Sequence, residues 1–175
     1  VLRTLLIGPE QAEQLIADAR IHAVTLTGSE TAGRRIAAAA GTQLKKSVLE
    51  LGGSDAFVVL ADADLDEAAH LAVASRFLNN GQSCIAAKRI ILVESIAGDF
   101  LTRFKQRLGQ LKQGDPTRED TDLGPMARAD LRDALHRQVT DSINKGAVPL
   151  LGCEPVAGPG YYYKVSLLDQ VRPGM

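Results

Sequence analysis

A chain of 175 residues, 45% hydrophobic and 23% charged, has an ordinary globular composition, with room for one core or two small ones. Its 20 basic and 21 acidic residues leave a formal net charge of −1, so no long-range field recruits nucleic acid or an anionic membrane. No apolar run approaches the roughly 18 to 20 residues that span a bilayer, and two distant cysteines without a charged-then-apolar leader point to neither a disulfide framework nor secretion, leaving a reducing cytoplasm as the expected location.

The chain opens at Val1 in a strand-like run over residues 1–7 and stops at Arg172-Pro173-Gly174-Met175 without finishing an element, so the sequence reads as a fragment of a longer protein, incomplete at both ends. Gly8-Pro9 starts a helix over 10–19, with Ala12, Leu15, Ile16 and Ala19 at helical spacing. A strand over 23–27 runs into Gly28-Ser29-Glu30-Thr31-Ala32-Gly33, and an alanine-rich helix continues to Ala40, where Gly41 is expected to stop it. A strand over 47–51 closes on Gly52-Gly53. Strands alternating with helices of about a dozen residues predict an α/β protein with a parallel sheet and crossover helices. The Gly52-Gly53-Ser54 step is the expected domain boundary.

A strand over 56–60 leads to Asp62-Ala63-Asp64-Leu65-Asp66-Glu67, which lacks the glycine and distal glutamate of a calcium loop and reads as a helix cap. The helix that follows, over 65–78, is expected to bury Ala68, Leu71, Ala72, Ser75 and Leu78. It closes on the polar hexapeptide Asn79-Asn80-Gly81-Gln82-Ser83-Cys84, after which 89–93 read as strand. A helix over 96–112 carries Phe100, Leu101, Phe104, Leu108 and Leu111 as a core stripe. Beyond a polar loop at 117–122, Leu123-Gly124-Pro125 introduces a helix over 127–145, then a strand over 147–151. Tyr161-Tyr162-Tyr163 reads as an exposed or edge strand, or as part of a subunit interface. His22, His70 and His136 are scattered without metal-ligand spacing.

Three stretches can carry chemistry. Gly28-Ser29 sits where a strand hands over to a helix, which is either a plain N-cap or an anion site built from free N–H groups. Glu50 stands at the C-terminal end of a parallel strand, the edge at which open α/β sheets bind ligands. A lone cysteine is by default a small buried hydrophobe, but Cys84 with Glu50 supplies a nucleophile and a base, the two parts of covalent catalysis.

Leu26-Thr27-Gly28-Ser29 with Gly33, then Glu50-Leu51-Gly52-Gly53, then Gly81-Gln82 with Cys84, resemble in their order the middle of an NAD(P)-dependent aldehyde dehydrogenase. The 34 positions from Glu50 to Cys84 match that family's pattern, and Cys84-Ile85-Ala86-Ala87-Lys88-Arg89 resembles its short succinate-semialdehyde branch. The resemblance implies Rossmann-like parallel-sheet elements in two adjoining domains. Residues 1–51 would be the C-terminal part of the dinucleotide-binding domain and 52–175 a truncated catalytic domain.

It also implies that Cys84 attacks the aldehyde, that hydride passes to NAD or NADP, and that Glu50 activates the water that hydrolyses the thioester. Gly28, Ser29 and Gly33 would meet the dinucleotide, with Leu51 and Gly52 beside the nicotinamide; the Cys84 N–H would supply half of the oxyanion hole, Gly81 would let the chain pass close to the substrate without side-chain obstruction, and no metal is implied. The partner is a small aldehyde, and the intact protein would be a homo-oligomer. The fragment alone is expected to turn over little or nothing, because the other oxyanion donor and part of the cofactor cradle lie outside it. One departure stands out: Leu78 occupies the position where better-known succinate-semialdehyde enzymes carry a carboxylate-binding arginine. The rival readings are a CoA-acylating or other-substrate aldehyde dehydrogenase and a non-catalytic dinucleotide-binding protein.

Overall fold

The computed structural model describes residues 2–175, in two compact units that meet in sequence at Gly53 and Ser54. The first contains α1 (Pro9–Ala17), β1 (Ala23–Gly28), α2 (Glu30–Thr42) and β2 (Lys46–Leu51). Proline starts α1 at the one place where its missing N–H is no loss. Lys45 seals the other end, giving its ammonium to the carbonyls of Ile16 at 2.5 Å and Asp18 at 2.6 Å. Strands β1 and β2 pair in parallel from Ala23 opposite Lys46 to Gly28 opposite Leu51, and α2 is the crossover between them. Ile16 and Ala40 are the buried hydrophobic side chains of this unit.

Two expectations fail here for backbone reasons. Residues 2–7 form no strand: no described strand pairs with them, and Leu2 and Leu6 are 94% and 100% exposed. Val1, the first residue of that expected strand, lies outside the described residues. Gly41 does not stop α2, which runs to Thr42 and closes one turn later. The Lys45 N–H donates to the Ala40 carbonyl and the Leu44 N–H to that of Gly41, the paired bonds of a Schellman motif. Its left-handed position falls on Leu44, at φ 53°.

The second unit holds β3 (Asp55–Val59), α3 (Leu65–Phe77), β4 (Ala87–Leu92), α4 (Glu94–Leu108), α5 (Ala129–Asn144), β5 (Val148–Leu151) and β6 (Leu167–Asp169). Asp64 caps α3, accepting from the N–H groups of Asp66 and Glu67 at 3.0 and 3.1 Å. Strands β3 and β4 are parallel, with α3 between them in sequence and α4 packed on α3. Val59, Ala69, Ala72, Phe100, Phe104 and Leu108 make the core, with the two phenylalanine rings stacked 5.5 Å apart. The expected α4 stripe is present at Phe100, Phe104 and Leu108; Leu111 packs on this core from beyond the helix end, and Leu101 is not part of it.

On α3 the buried line runs through Ala69 and Ala72 instead, leaving Leu71 47% and Leu78 51% exposed. Alanine at both buried positions lets α4 approach closely, which outweighs the pull of the larger leucine. Helix α4 stops at Leu108 and not at 112, because Gly109 caps it and the Lys112 N–H is taken by the Asp122 carboxylate at 2.8 Å. Similarly α5 begins at Ala129, since the Ala127 N–H is held by the Gln82 side chain at 3.1 Å.

The three tyrosines form no named strand. Tyr163 is a core residue, 7% exposed, packed with Val139 and Cys153 and hydrogen-bonded to His136 Nδ1 at 3.1 Å. Tyr162 gives its hydroxyl to the Gly114 carbonyl at 2.8 Å, and only Tyr161 remains exposed. Short strand β6, antiparallel to β5, carries no turn signal or alternation long enough to announce it.

Replacing Leu44 by glycine removes the left-handed penalty at an almost fully exposed site. Set against the entropy glycine adds to the unfolded chain, it should stabilise the first unit by about 0.5–1 kcal/mol, read from the urea midpoint. Burial first, then Cys153 and Glu154, push the Tyr163 phenol up to about 12 from its ordinary 10.0. A raised phenol favours the folded state below the ordinary value and ceases to do so as pH rises through the folded one. Stability should therefore fall between pH 10 and about 12, and Tyr163→Phe should flatten that fall in alkaline denaturation.

Candidate active site

In the first unit the parallel register gathers one set of residues at one sheet edge. Thr27 lies opposite Glu50 and Gly28 opposite Leu51, so Gly28-Ser29 and Glu50-Leu51-Gly52 leave the C-terminal edge of the β1–β2 pair together. Ser29 caps α2, its hydroxyl accepting from the Ala32 N–H at 3.2 Å and its carbonyl from Gly33 at 2.9 Å. The Glu30 and Thr31 N–H groups, the next two donors of the helix start, have no acceptor among the described residues of this unit. Gly52 has open space where a side chain would stand.

Gly33 differs from its neighbours. It is buried, and a Cβ there would lie 2.8 Å from Leu51 Cδ2, so its visible work is to let α2 close on β2. Glu50 is exposed, and its carboxylate is free of hydrogen bonds and ion pairs among the described residues of this unit. An anionic phosphate fits the Ser29 helix start, where N–H groups are unclaimed. The acid in that first turn, Glu30, lies 3.7 Å from Arg34.

In the second unit the hexapeptide is a strained turn. Asn79, Asn80 and Gly81 all have positive φ, at 52°, 56° and 72°, a short left-handed run that reverses the chain at the end of α3. Asparagine tolerates this region better than most residues. A Cβ on Gly81 would lie 3.1 Å from the Arg76 carbonyl oxygen and 2.7 Å from Arg76 Nη2, and its positive φ disfavours any side chain there.

Two polar side chains of the turn tie it to the segment at 124–127. Asn80 accepts from the Gly124 N–H at 3.1 Å and donates to the Pro125 carbonyl at 3.3 Å, while Gln82 holds Ala127. Arg76, half-buried, gives Nη2 to the Gly81 carbonyl at 3.0 Å and Nη1 to that of Ala87 at 3.3 Å, and burial holds its guanidinium below its ordinary value. None of these ties is visible from local spacing. Asn-Asn-Gly is the one sequence signal that could have pointed to a left-handed turn.

Cys84 emerges from this turn exposed, and its N–H has no acceptor among the described residues of its own unit. Cys153 is the opposite case: it is 9% exposed, its sulfur donates to the Leu151 carbonyl at 3.1 Å, and burial pushes its thiol up. One thiol is thus available to an electrophile and the other is a core residue.

A sequence model described as the Aldehyde dehydrogenase family matches residues 1–175. The chain is 56% identical over 162 residues to the succinate semialdehyde dehydrogenase [NAD(P)+] Sad of Escherichia coli K12, covering 93% of this chain and 35% of that protein. It is 51% identical over 171 residues to a probable succinate-semialdehyde dehydrogenase [NADP(+)] of Synechocystis, covering 98% and 38%. Among solved structures it resembles a succinic semialdehyde dehydrogenase from Streptococcus pyogenes in complex with NADP+, with a TM-score of 0.90 at 36% identity, covering 94% of this chain and 36% of that one. The chain therefore spans little more than a third of the length of the relatives it matches.

Asn80→Ala strips an acceptor from the Gly124 N–H and removes the donor to Pro125. It should cost about 1–3 kcal/mol and speed exchange of the Gly124 amide, measured by urea unfolding and hydrogen exchange.

Proposed function

The chain belongs to the aldehyde dehydrogenase family, and from that premise we propose that the protein oxidises an aldehyde to its carboxylic acid with NAD(P)+. The exposed Cys84 with its unclaimed N–H is the observation on which the nucleophile assignment rests. The Cys84 thiolate adds to the carbonyl carbon, and its N–H stabilises the oxyanion that forms. When bound, NAD(P)+ supplies the acceptor for the hydride that leaves this thiohemiacetal. Glu50 then takes a proton from water, whose oxygen adds to the thioester carbon, and the carbon–sulfur bond breaks to release the acid and the thiolate. Gly28, Ser29 and the free N–H groups of Glu30 and Thr31 would hold the dinucleotide phosphate, with Leu51 and Gly52 beside the nicotinamide. Gly33 would serve the same cradle from beneath, through its contact with Leu51.

Succinate semialdehyde is the proposed substrate, supported by the names of the relatives. Leu78 is apolar, and both Nη groups of Arg76 are committed to backbone carbonyls, so Arg76 is not the cation that would meet the substrate carboxylate. Glu50 favours water over CoA as the acyl acceptor, because only water needs a base to become a competent nucleophile here. The proposal also carries a cytoplasmic location and a homo-oligomeric intact enzyme. Among the described residues no helix is long and apolar enough to cross a membrane.

Glu50→Gln in the intact enzyme should stall as a thioester on Cys84, visible as an acyl adduct by intact mass, whereas unchanged steady-state turnover would contradict the assignment. Similar specificity constants for succinate semialdehyde and an uncharged aliphatic aldehyde would remove the substrate assignment.

A further inference from the structure

Lys88 is the second residue of β4 and is exposed, yet its ammonium is not turned to solvent alone. Nζ donates to the carbonyls of Ser83 at 3.3 Å, Cys84 at 3.2 Å and Ala86 at 3.1 Å, as many acceptors as the ammonium has protons. It forms no ion pair among the described residues of its unit. Its charge is directed at backbone oxygens of the one turn that carries the exposed cysteine.

That choice of acceptors has a geometric result. The Ser83 carbonyl and the Cys84 N–H belong to the same peptide plane, and in a trans peptide they point in opposite directions. A cation that draws the Ser83 oxygen to one side turns the Cys84 N–H to the other. The Cys84 carbonyl, drawn the same way, fixes the next peptide plane as well. Arg76 does the corresponding work at the two ends of the turn, through Gly81 and Ala87.

We propose that Lys88 is a positioning residue for the oxyanion donor: by chelating the Ser83, Cys84 and Ala86 carbonyls it aims the Cys84 N–H at the place where the aldehyde oxygen gains charge. The inference rests on the proposed role of Cys84 as nucleophile. It differs from a charge effect on the thiol, since the ammonium acts through the orientation of a peptide bond.

The test uses the intact enzyme with Lys88→Met, Lys88→Arg and, in parallel, Cys84→Ser. Removing an oxyanion donor outright costs on the order of 10²–10³ in kcat; loosening one should lower kcat of Lys88→Met about tenfold or more, with KM within about threefold. Alkylation of Cys84 by iodoacetamide at alkaline pH is a displacement that builds no oxyanion, so its rate should change by less than about threefold. Lys88→Arg, which keeps charge and several donors, should recover part of kcat. If Lys88→Met proves unstable on a thermal melt, Lys88→Gln, which keeps one amide donor group, is read by the same criteria.

A kcat near that of the parent, alkylation slowed as much as turnover, or Lys88→Arg no better than Lys88→Met overturns the inference. Turnover retained by Cys84→Ser would instead overturn the nucleophile reading. A dead Cys84→Ser beside an unimpaired Lys88→Met removes only the role of Lys88.

Discussion

The left-handed run through Asn79, Asn80 and Gly81 is the constraint on which the cysteine turn depends. Most residues other than glycine resist that conformation by roughly 1–2 kcal/mol each, asparagine less than most, so a chain left to itself would not favour it. It persists because the surrounding structure over-determines it: Asn80 and Gln82 bind the backbone at 124, 125 and 127, and Arg76 spans from α3 to the carbonyls of Gly81 and Ala87. The product of that strain is an exposed thiol whose peptide N–H is left unclaimed.

The basic side chains around this turn act mainly as ligands for oxygen. Arg76, like Lys45 in the first unit, caps carbonyls at places where the regular ladder of backbone bonds has ended. Backbone oxygens left over at helix ends and sharp turns need donors, and a long cationic side chain can reach them without adding a residue to the loop. Half of the ion pairs among the described residues, by contrast, join residues one or two positions apart in sequence, where they contribute little.

Much of this was legible in sequence, for reasons that can be stated element by element. The alternation of β1, α2 and β2, the Asp64 cap and the α4 stripe follow from short-range periodicity and capping, which a linear reading captures. The same reading put Glu50 and Gly28-Ser29 at strand ends, and parallel register then necessarily brings them to one edge. It missed what long-range partners decide. Residues 2–7 have strand-like side chains but no ladder, and Tyr163 is buried because α5 and the segment around Cys153 cover it. The boundaries of α4 and α5 were set by Asp122 and Gln82, side chains 10 and 45 residues away from the amides they capture.

The contact between Gly33 and Leu51 couples two parts of the first unit that serve different ends. Helix α2 begins at Ser29, where the dinucleotide phosphate is proposed to bind, and β2 ends at Glu50 and Leu51, where the proposed base stands. With no atom to spare between Gly33 and the Leu51 methyls, the helix cannot shift along the strand without repacking that leucine. Retuning the nucleotide grip would therefore be felt at the base.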